Sequence, residues 1–119
     1  MMITIYHNPR CSKSRETLAL IETLNPGATP VNVVEYLNTP PTVQELETLH
    51  RQLERPVRDM LRDNEEPYKT LDLGRADLTD AQAYEAIASH PILLQRPIVV
   101  YNGKAAIGRP PESVRELFE

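Results

Sequence analysis

The single cysteine of the chain, Cys11, stands in the stretch His7-Asn8-Pro9-Arg10-Cys11-Ser12-Lys13-Ser14-Arg15. Arg10, Lys13 and Arg15 are formal cations close by in sequence, and His7 is a potential fourth. The stretch begins where an apolar run (Ile3, Ile5, Tyr6) gives way to a helical pattern. A cysteine at a strand-to-helix junction points its sulfur at the first-turn N–H groups, whose partial positive charge stabilises a thiolate. Nearby cations lower a thiol pKa further, and the thiolate is the nucleophilic form. A lone cysteine is more usually a small buried hydrophobe. A hydrophobe is rarely flanked by this much charge, so a reactive thiol is the expectation.

The whole chain narrows the classes open to such a thiol. Its 119 residues suit one domain with a single core that needs no staples. The formal net charge of -4 gives no bulk attraction to nucleic acid or to an anionic membrane. One cysteine forbids an internal disulfide, and three scattered histidines show no metal-ligand spacing. There is no long apolar run, signal peptide or basic presequence, so a cytoplasmic monomer is expected.

The elements that must position the cysteine follow from pattern. Residues 2–6 read as a buried strand. From Ser12 to about Leu24, the apolar residues Leu18, Ile21 and Leu24 keep helical spacing, and Asn25-Pro26-Gly27 ends that helix. Residues 31–36 form the second strand, parallel to the first. Between 40 and 95 the sequence predicts three short helices and no strand. Thr42-Val43-Gln44-Glu45 and Thr79-Asp80-Ala81-Gln82 have capping-box spacing, Pro56 opens a helical piece running from Val57 to Arg62, and Asn64-Glu65-Glu66-Pro67 is a polar break. Strand character returns at Ile98-Val99-Val100-Tyr101, and Asn102-Gly103 predicts a tight hairpin into Lys104-Ala105-Ala106-Ile107. Gly108-Arg109-Pro110-Pro111 opens a last helix with Val114, Leu117 and Phe118 on its inner face.

The order is therefore βαβ, a helical insertion, then ββα, in one compact α/β unit. That order resembles the thioredoxin/glutaredoxin-like topology, in which the reactive cysteine follows the first strand. Cys11-Ser12-Lys13-Ser14 is a Cys-x-x-Ser with no resolving thiol, and Pro97 occupies the place where that fold keeps a cis-proline.

Over nearly its full length the chain resembles the glutaredoxin-linked arsenate reductase family. The resemblance is carried by His7-Asn8-Pro9, Cys11, Ser14-Arg15, Leu61-Arg62, Glu66-Pro67-Tyr68, His90-Pro91-Ile92-Leu93, Arg96-Pro97-Ile98-Val99-Val100 and Arg109-Pro110, in order. It implies that Cys11 attacks arsenate to form a thiol–arsenate adduct, and that an arginine triad, Arg62, Arg96 and Arg109, holds the oxyanion. Arginine's planar fork of donors suits that task better than a lysine. It implies also that glutathione, as co-substrate, resolves the adduct, that glutaredoxin recycles the enzyme, and that no cofactor is bound. The missing second thiol fits an external one, because one sulfur cannot complete a two-electron cycle. His7 would help to stabilise the thiolate, Ser14 would donate a hydrogen bond to it, and Arg15 would bind the anion or support the helix start. His50 and His90 read as structural or surface groups, and Arg55 and Arg58 as a solvated helix face.

The chain departs from the long branch of that family, which continues beyond the last helix and carries smaller, uncharged residues around the cysteine. It resembles the short branch, where another substrate for the same thiol chemistry is an open alternative. A tyrosine-phosphatase-type site needs a longer cysteine-to-arginine spacing than that from Cys11 to Arg15. An Spx-like regulator binding another protein shares the fold, but its redox switch uses Cys-x-x-Cys, which Ser14 denies. A plain monothiol glutaredoxin would carry a glutathione-binding pattern that residues 108–111 do not resemble.

Overall fold

The computed structural model describes residues 2–25 and 29–119. The chain divides into two compact units, Met1–Thr39 with Arg96–Glu119, and Pro40–Gln95.

The first unit is built on four short strands, β1 (Ile3–Tyr6), β2 (Val31–Val34), β3 (Ile98–Tyr101) and β4 (Lys104–Ile107), in the order β2-β1-β3-β4. β1 and β2 are parallel, joined through helix α1 (Ser12–Leu24), whereas β3 runs antiparallel to both β1 and β4. One sheet face carries Ile3, Ile5, Val99 and Ala106, which pack with Ile21 of α1 and with Val114 and Leu117 near the C-terminus. Each such aliphatic side chain removed from water contributes about 1.5–3 kcal/mol. α1 spans the predicted residues, and the Asn25 N–H closes it on the Ile21 carbonyl. Pro26 and Gly27, expected to stop the helix, lie outside the described residues.

Two expectations change here. β2 ends at Val34, two residues short of the predicted strand, because the Glu35 carbonyl accepts the N–H groups of Asn38 and Thr39 and bends the chain. That turn sends the Tyr36 side chain fully into the interior. The last helix, Pro111–Phe118, is 3-10 along its whole length. Its buried residues Pro111, Val114 and Leu117 recur every third position, the period of a 3-10 helix. The hairpin forms as predicted: Asn102 and Gly103 take φ of 56° and 79°, the pair of positive angles that a type I′ turn requires.

The second unit holds helices α2 (Val43–Leu53), α3 (Glu66–Thr70) and α4 (Asp80–Ser89). Both predicted capping boxes form, Thr42 with Glu45 and Thr79 with Gln82, and such a cap contributes about 1 kcal/mol. α2 packs on α4, burying Leu46, Leu49 and Leu53 from one and Ala83, Ala86 and Ile87 from the other. The expected helix from Val57 to Arg62 is instead a 3-10 turn, Val57–Met60, after which Leu61 forms an antiparallel bridge with Leu94. The expected break at Asn64–Pro67 starts α3, with Pro67 in its first turn, where its lost N–H costs nothing. Arg58 is exposed, as expected, and its guanidinium also donates to the carbonyls of Leu73 and Arg75, fastening that loop. His50 is structural, lying 2.5 Å from the Tyr84 hydroxyl and 2.8 Å from the Arg55 carbonyl. Among the described residues no helix is long and apolar enough to cross a membrane.

Candidate functional site

Strand direction alone brings the chemistry of the first unit to one edge of its sheet. β1 and β2 run parallel, so the segments that leave them, His7 to Cys11 and Glu35 to Tyr36, emerge at the same end. The His7 N–H donates to the Val34 carbonyl at 2.8 Å and carries the ladder one step past β1. Tyr6 stands opposite Ile98, so the antiparallel β3 begins at that same end, with Arg96 and Pro97 just before it. Ile98 stands opposite Ile107, so β4 finishes there and releases Gly108 and Arg109. The Arg96–Pro97 peptide bond is cis, as the resemblance implied, and the Arg109–Pro110 bond is cis as well.

Cys11 is the N-cap residue of α1, half-buried, with extended backbone angles. Its own N–H donates to the Asn8 carbonyl at 3.0 Å, which turns the sulfur toward the open end of the helix. Burial opposes ionisation of the thiol, but hydrogen bonds from the backbone N–H groups of Ser14 and Lys13 and from the Arg96 side chain outweigh it. The net effect lowers the Cys11 pKa below its ordinary value. Of the side-chain charges that act on it, the Arg96 guanidinium is the leading one. Lys13 acts through its backbone N–H while its ammonium pairs with Glu16 at 3.6 Å. The guanidinium that matters comes from residue 96.

The loop before the cysteine is held by buried polar groups. The Asn8 N–H donates to Ser14 Oγ at 3.0 Å, and the Asn8 side chain accepts the Arg10 N–H at 3.0 Å. Ser14 Oγ also lies 2.8 Å from His7 Nδ1. His7 is buried, and burial holds its pKa below the usual histidine value; the Arg15 charge adds to this and Glu35 opposes it. His7 and Ser14 are therefore seen bonded to one another, bracing the loop. Arg15 donates to the Pro9 carbonyl at 3.0 Å, a support for the helix start.

Arg96 is partly buried, and its pKa is raised. Burial works against the cation, whereas the neighbouring Tyr36 and Cys11 favour it. Arg109 is exposed at the same sheet edge. Arg62 belongs to the second unit, beyond the Leu61 bridge. Its Nε donates to Glu65 at 3.1 Å, its Nη1 to the Gln95 side-chain oxygen at 3.3 Å, and its backbone N–H to the Leu93 carbonyl. Asn8, Tyr36 and Gly108 carry no role in the sequence-based expectation. Asn8 was legible only as part of the cysteine motif. The buried tyrosine and the close-packed glycine left no pattern to read.

A single cysteine, its pKa lowered, at a helix N-terminus on this sheet defines the class: a thioredoxin-like protein with one thiol at the end of its first strand. The pattern of the ArsC family matches residues 6–117, and the chain belongs to that family. It is 48% identical over 119 residues to a protein of Haemophilus influenzae named arsenate reductase, covering 99% of this chain and 100% of that one. An arsenate reductase of Escherichia coli K12 is 44% identical over 116 residues, covering 98% of this chain and 80% of its own length. The solved structure of an arsenate reductase from Vibrio cholerae superposes with a TM-score of 0.90 at 52% identity, over 98% of each chain.

Proposed function

We propose that this protein is an arsenate reductase that uses glutathione and glutaredoxin as its external thiols. The observation that carries the reading is Cys11 as the N-cap residue of α1, its pKa held below the ordinary thiol value by the Ser14 and Lys13 N–H groups and the Arg96 guanidinium. The names of the full-length relatives supply the substrate.

Arsenate is a tetrahedral oxyanion, so an anionic sulfur approaches it only where positive charge offsets the repulsion. Arg96 and Arg109 supply that charge at the sheet edge of the first unit, and the family resemblance assigns oxyanion binding to Arg62 as well. Cys11 attacks arsenic, an S–As bond forms, and one oxygen leaves with protons as water. The glutathione thiolate then attacks the Cys11 sulfur. The S–As bond breaks with its electron pair on arsenic, releasing arsenite and leaving a Cys11–glutathione disulfide. Two thiols have been oxidised to one disulfide, matching the two electrons gained by arsenic. Glutaredoxin then takes up the glutathione and restores Cys11. The cycle requires no bound cofactor, and it belongs in a reducing, glutathione-containing compartment such as the cytoplasm. The family pattern runs through both units, which supports one functional domain in which residues 40–95 are an insertion.

The test is the purified protein with arsenate, glutathione, glutaredoxin and glutathione reductase, followed by NADPH consumption. Arsenate-dependent turnover that disappears in Cys11→Ser is the expected result, with a raised KM for arsenate in Arg96→Ala and Arg109→Ala. Absence of turnover by folded protein whose thiol remains reactive would assign the same chemistry to another substrate.

A further inference from the structure

Asn8 has no role in the reaction just described, yet it is a buried polar residue bonded on every side within the loop that carries the cysteine. Its carbonyl accepts the Cys11 N–H at 3.0 Å, closing a turn through Pro9 and Arg10. Its side-chain oxygen accepts the Arg10 N–H at 3.0 Å, inside that same turn. Its own N–H donates to Ser14 Oγ at 3.0 Å, in the first turn of α1. Cys11 is both the last residue of the turn and the N-cap of α1. The shape of the turn therefore sets where the sulfur lies relative to the unpaired N–H groups of the helix start.

Two of these three bonds use the Asn8 backbone and are open to any residue. The bond to the Arg10 N–H needs an acceptor on a short side chain, which Asn, Asp, Ser and Thr alone place two residues upstream. Without it, only the Pro9 ring and the Cys11 N–H hold the turn, and a less constrained loop costs more entropy to order. Asparagine and aspartate both close such turns, but they differ in charge. A turn keeps its first and fourth α-carbons within about 7 Å, and a carboxylate at that range opposes a thiolate. We propose that Asn8 is a positioning residue whose neutral side chain closes the turn that delivers Cys11 to the start of α1 and spares the sulfur a neighbouring anion. It acts through the loop and touches no reacting atom.

The proposal rests on the thiol reading of the site, but its test needs no arsenate, so it fails separately from the assignment of substrate. The pH profile of iodoacetamide alkylation in the unaltered protein tests the thiol itself, and the differences among Asn8 variants test the proposal. Asn8→Ala should raise the pH of half-maximal alkylation and slow the reaction at pH 7 by about two- to tenfold, the worth of one hydrogen bond. Asn8→Ser keeps an acceptor for the Arg10 N–H and should recover most of that loss, which a merely space-filling role would not allow. Asn8→Asp should keep the urea midpoint yet raise the half-maximal pH further than Asn8→Ala does. Added salt should shrink the Asn8→Asp shift and leave the Asn8→Ala shift in place, because only the first is a charge effect. An unaltered profile in Asn8→Ala or Asn8→Asp, or no recovery in Asn8→Ser, would overturn the proposal. Amide hydrogen exchange of Arg10 in the unaltered protein is a second measurement that stands even where Asn8→Ala does not fold. Slowed exchange is expected of a bonded N–H, and exchange at the rate of a free peptide would also overturn it.

Discussion

The backbone of Gly108 lies so close to Pro97 that no side chain fits between them. Its N–H donates to the Pro97 carbonyl at 2.9 Å, and a Cβ at position 108 would fall 2.8 Å from Pro97 Cγ and 2.6 Å from Thr17 Oγ1. Neither neighbour yields easily. Pro97 is a ring on a fixed backbone, and the buried Thr17 hydroxyl is bonded to the Lys13 carbonyl at 2.7 Å. Three segments thus meet at this point: the start of α1, the residue after Arg96, and the residue before Arg109.

Gly108→Ala should therefore destabilise the protein by about 1–3 kcal/mol, the usual cost of overpacking a filled interior. The urea midpoint measures it. The extra methyl pushes on Pro97 and Thr17 together, so alkylation of Cys11 at pH 7 should slow in the variant as well. An unchanged midpoint would mean that the strand ends separate without penalty.

The charges around Cys11 can be ranked by what acts on the sulfur. Arg96 acts through its side chain and Lys13 through its backbone N–H. Alkylation by iodoacetamide should reach half its maximal rate below the ordinary thiol value of 9.0. Arg96→Met should move that point upward, whereas Lys13→Ala, which keeps the N–H, should leave it nearly in place. A larger shift from Lys13→Ala would return the effect to the charge that is nearest in sequence.

His7 makes stability depend on pH in a defined direction. Its pKa in the folded protein lies below the ordinary histidine value of 6.5, so the unfolded chain binds the proton more readily. The neutral imidazole therefore contributes stability in full above about pH 6.5. That contribution falls as the pH drops toward the folded-state pKa. Urea unfolding across this range should show stability decreasing with acid. His7→Phe should flatten the decrease, while Ser14→Ala should cost about 1–3 kcal/mol at neutral pH by stranding the Asn8 N–H. A slope unchanged by His7→Phe would assign the acid sensitivity to other groups.

What could be read in advance follows the range of the forces involved. The helix boundaries of α1, α2 and α4 and the Asn102-Gly103 turn depend on residues three or four apart, and capping boxes, apolar stripes and positive-φ turns are written in such neighbours. Cys11 as a helix cap is legible for the same reason. The exceptions arise where distant contacts overrule local preference. Leu61 leaves a helical pattern to pair with Leu94, and the last helix tightens so that Pro111, Val114 and Leu117 line up on one stripe.

By itself, the sequence determined that one cysteine would begin a helix after an N-terminal strand, and that no second thiol would stand beside it. The tertiary structure alone decided which cation serves that cysteine. Lys13 and Arg15 are close in sequence, but helix and loop geometry pairs the one with Glu16 and the other with the Pro9 carbonyl. Arg96 is distant in sequence, yet β3 runs antiparallel to β1 and begins at the end where β1 delivers Cys11. Electrostatic and hydrogen-bond energies fall with distance through space, and chain position sets that distance only within a turn or two.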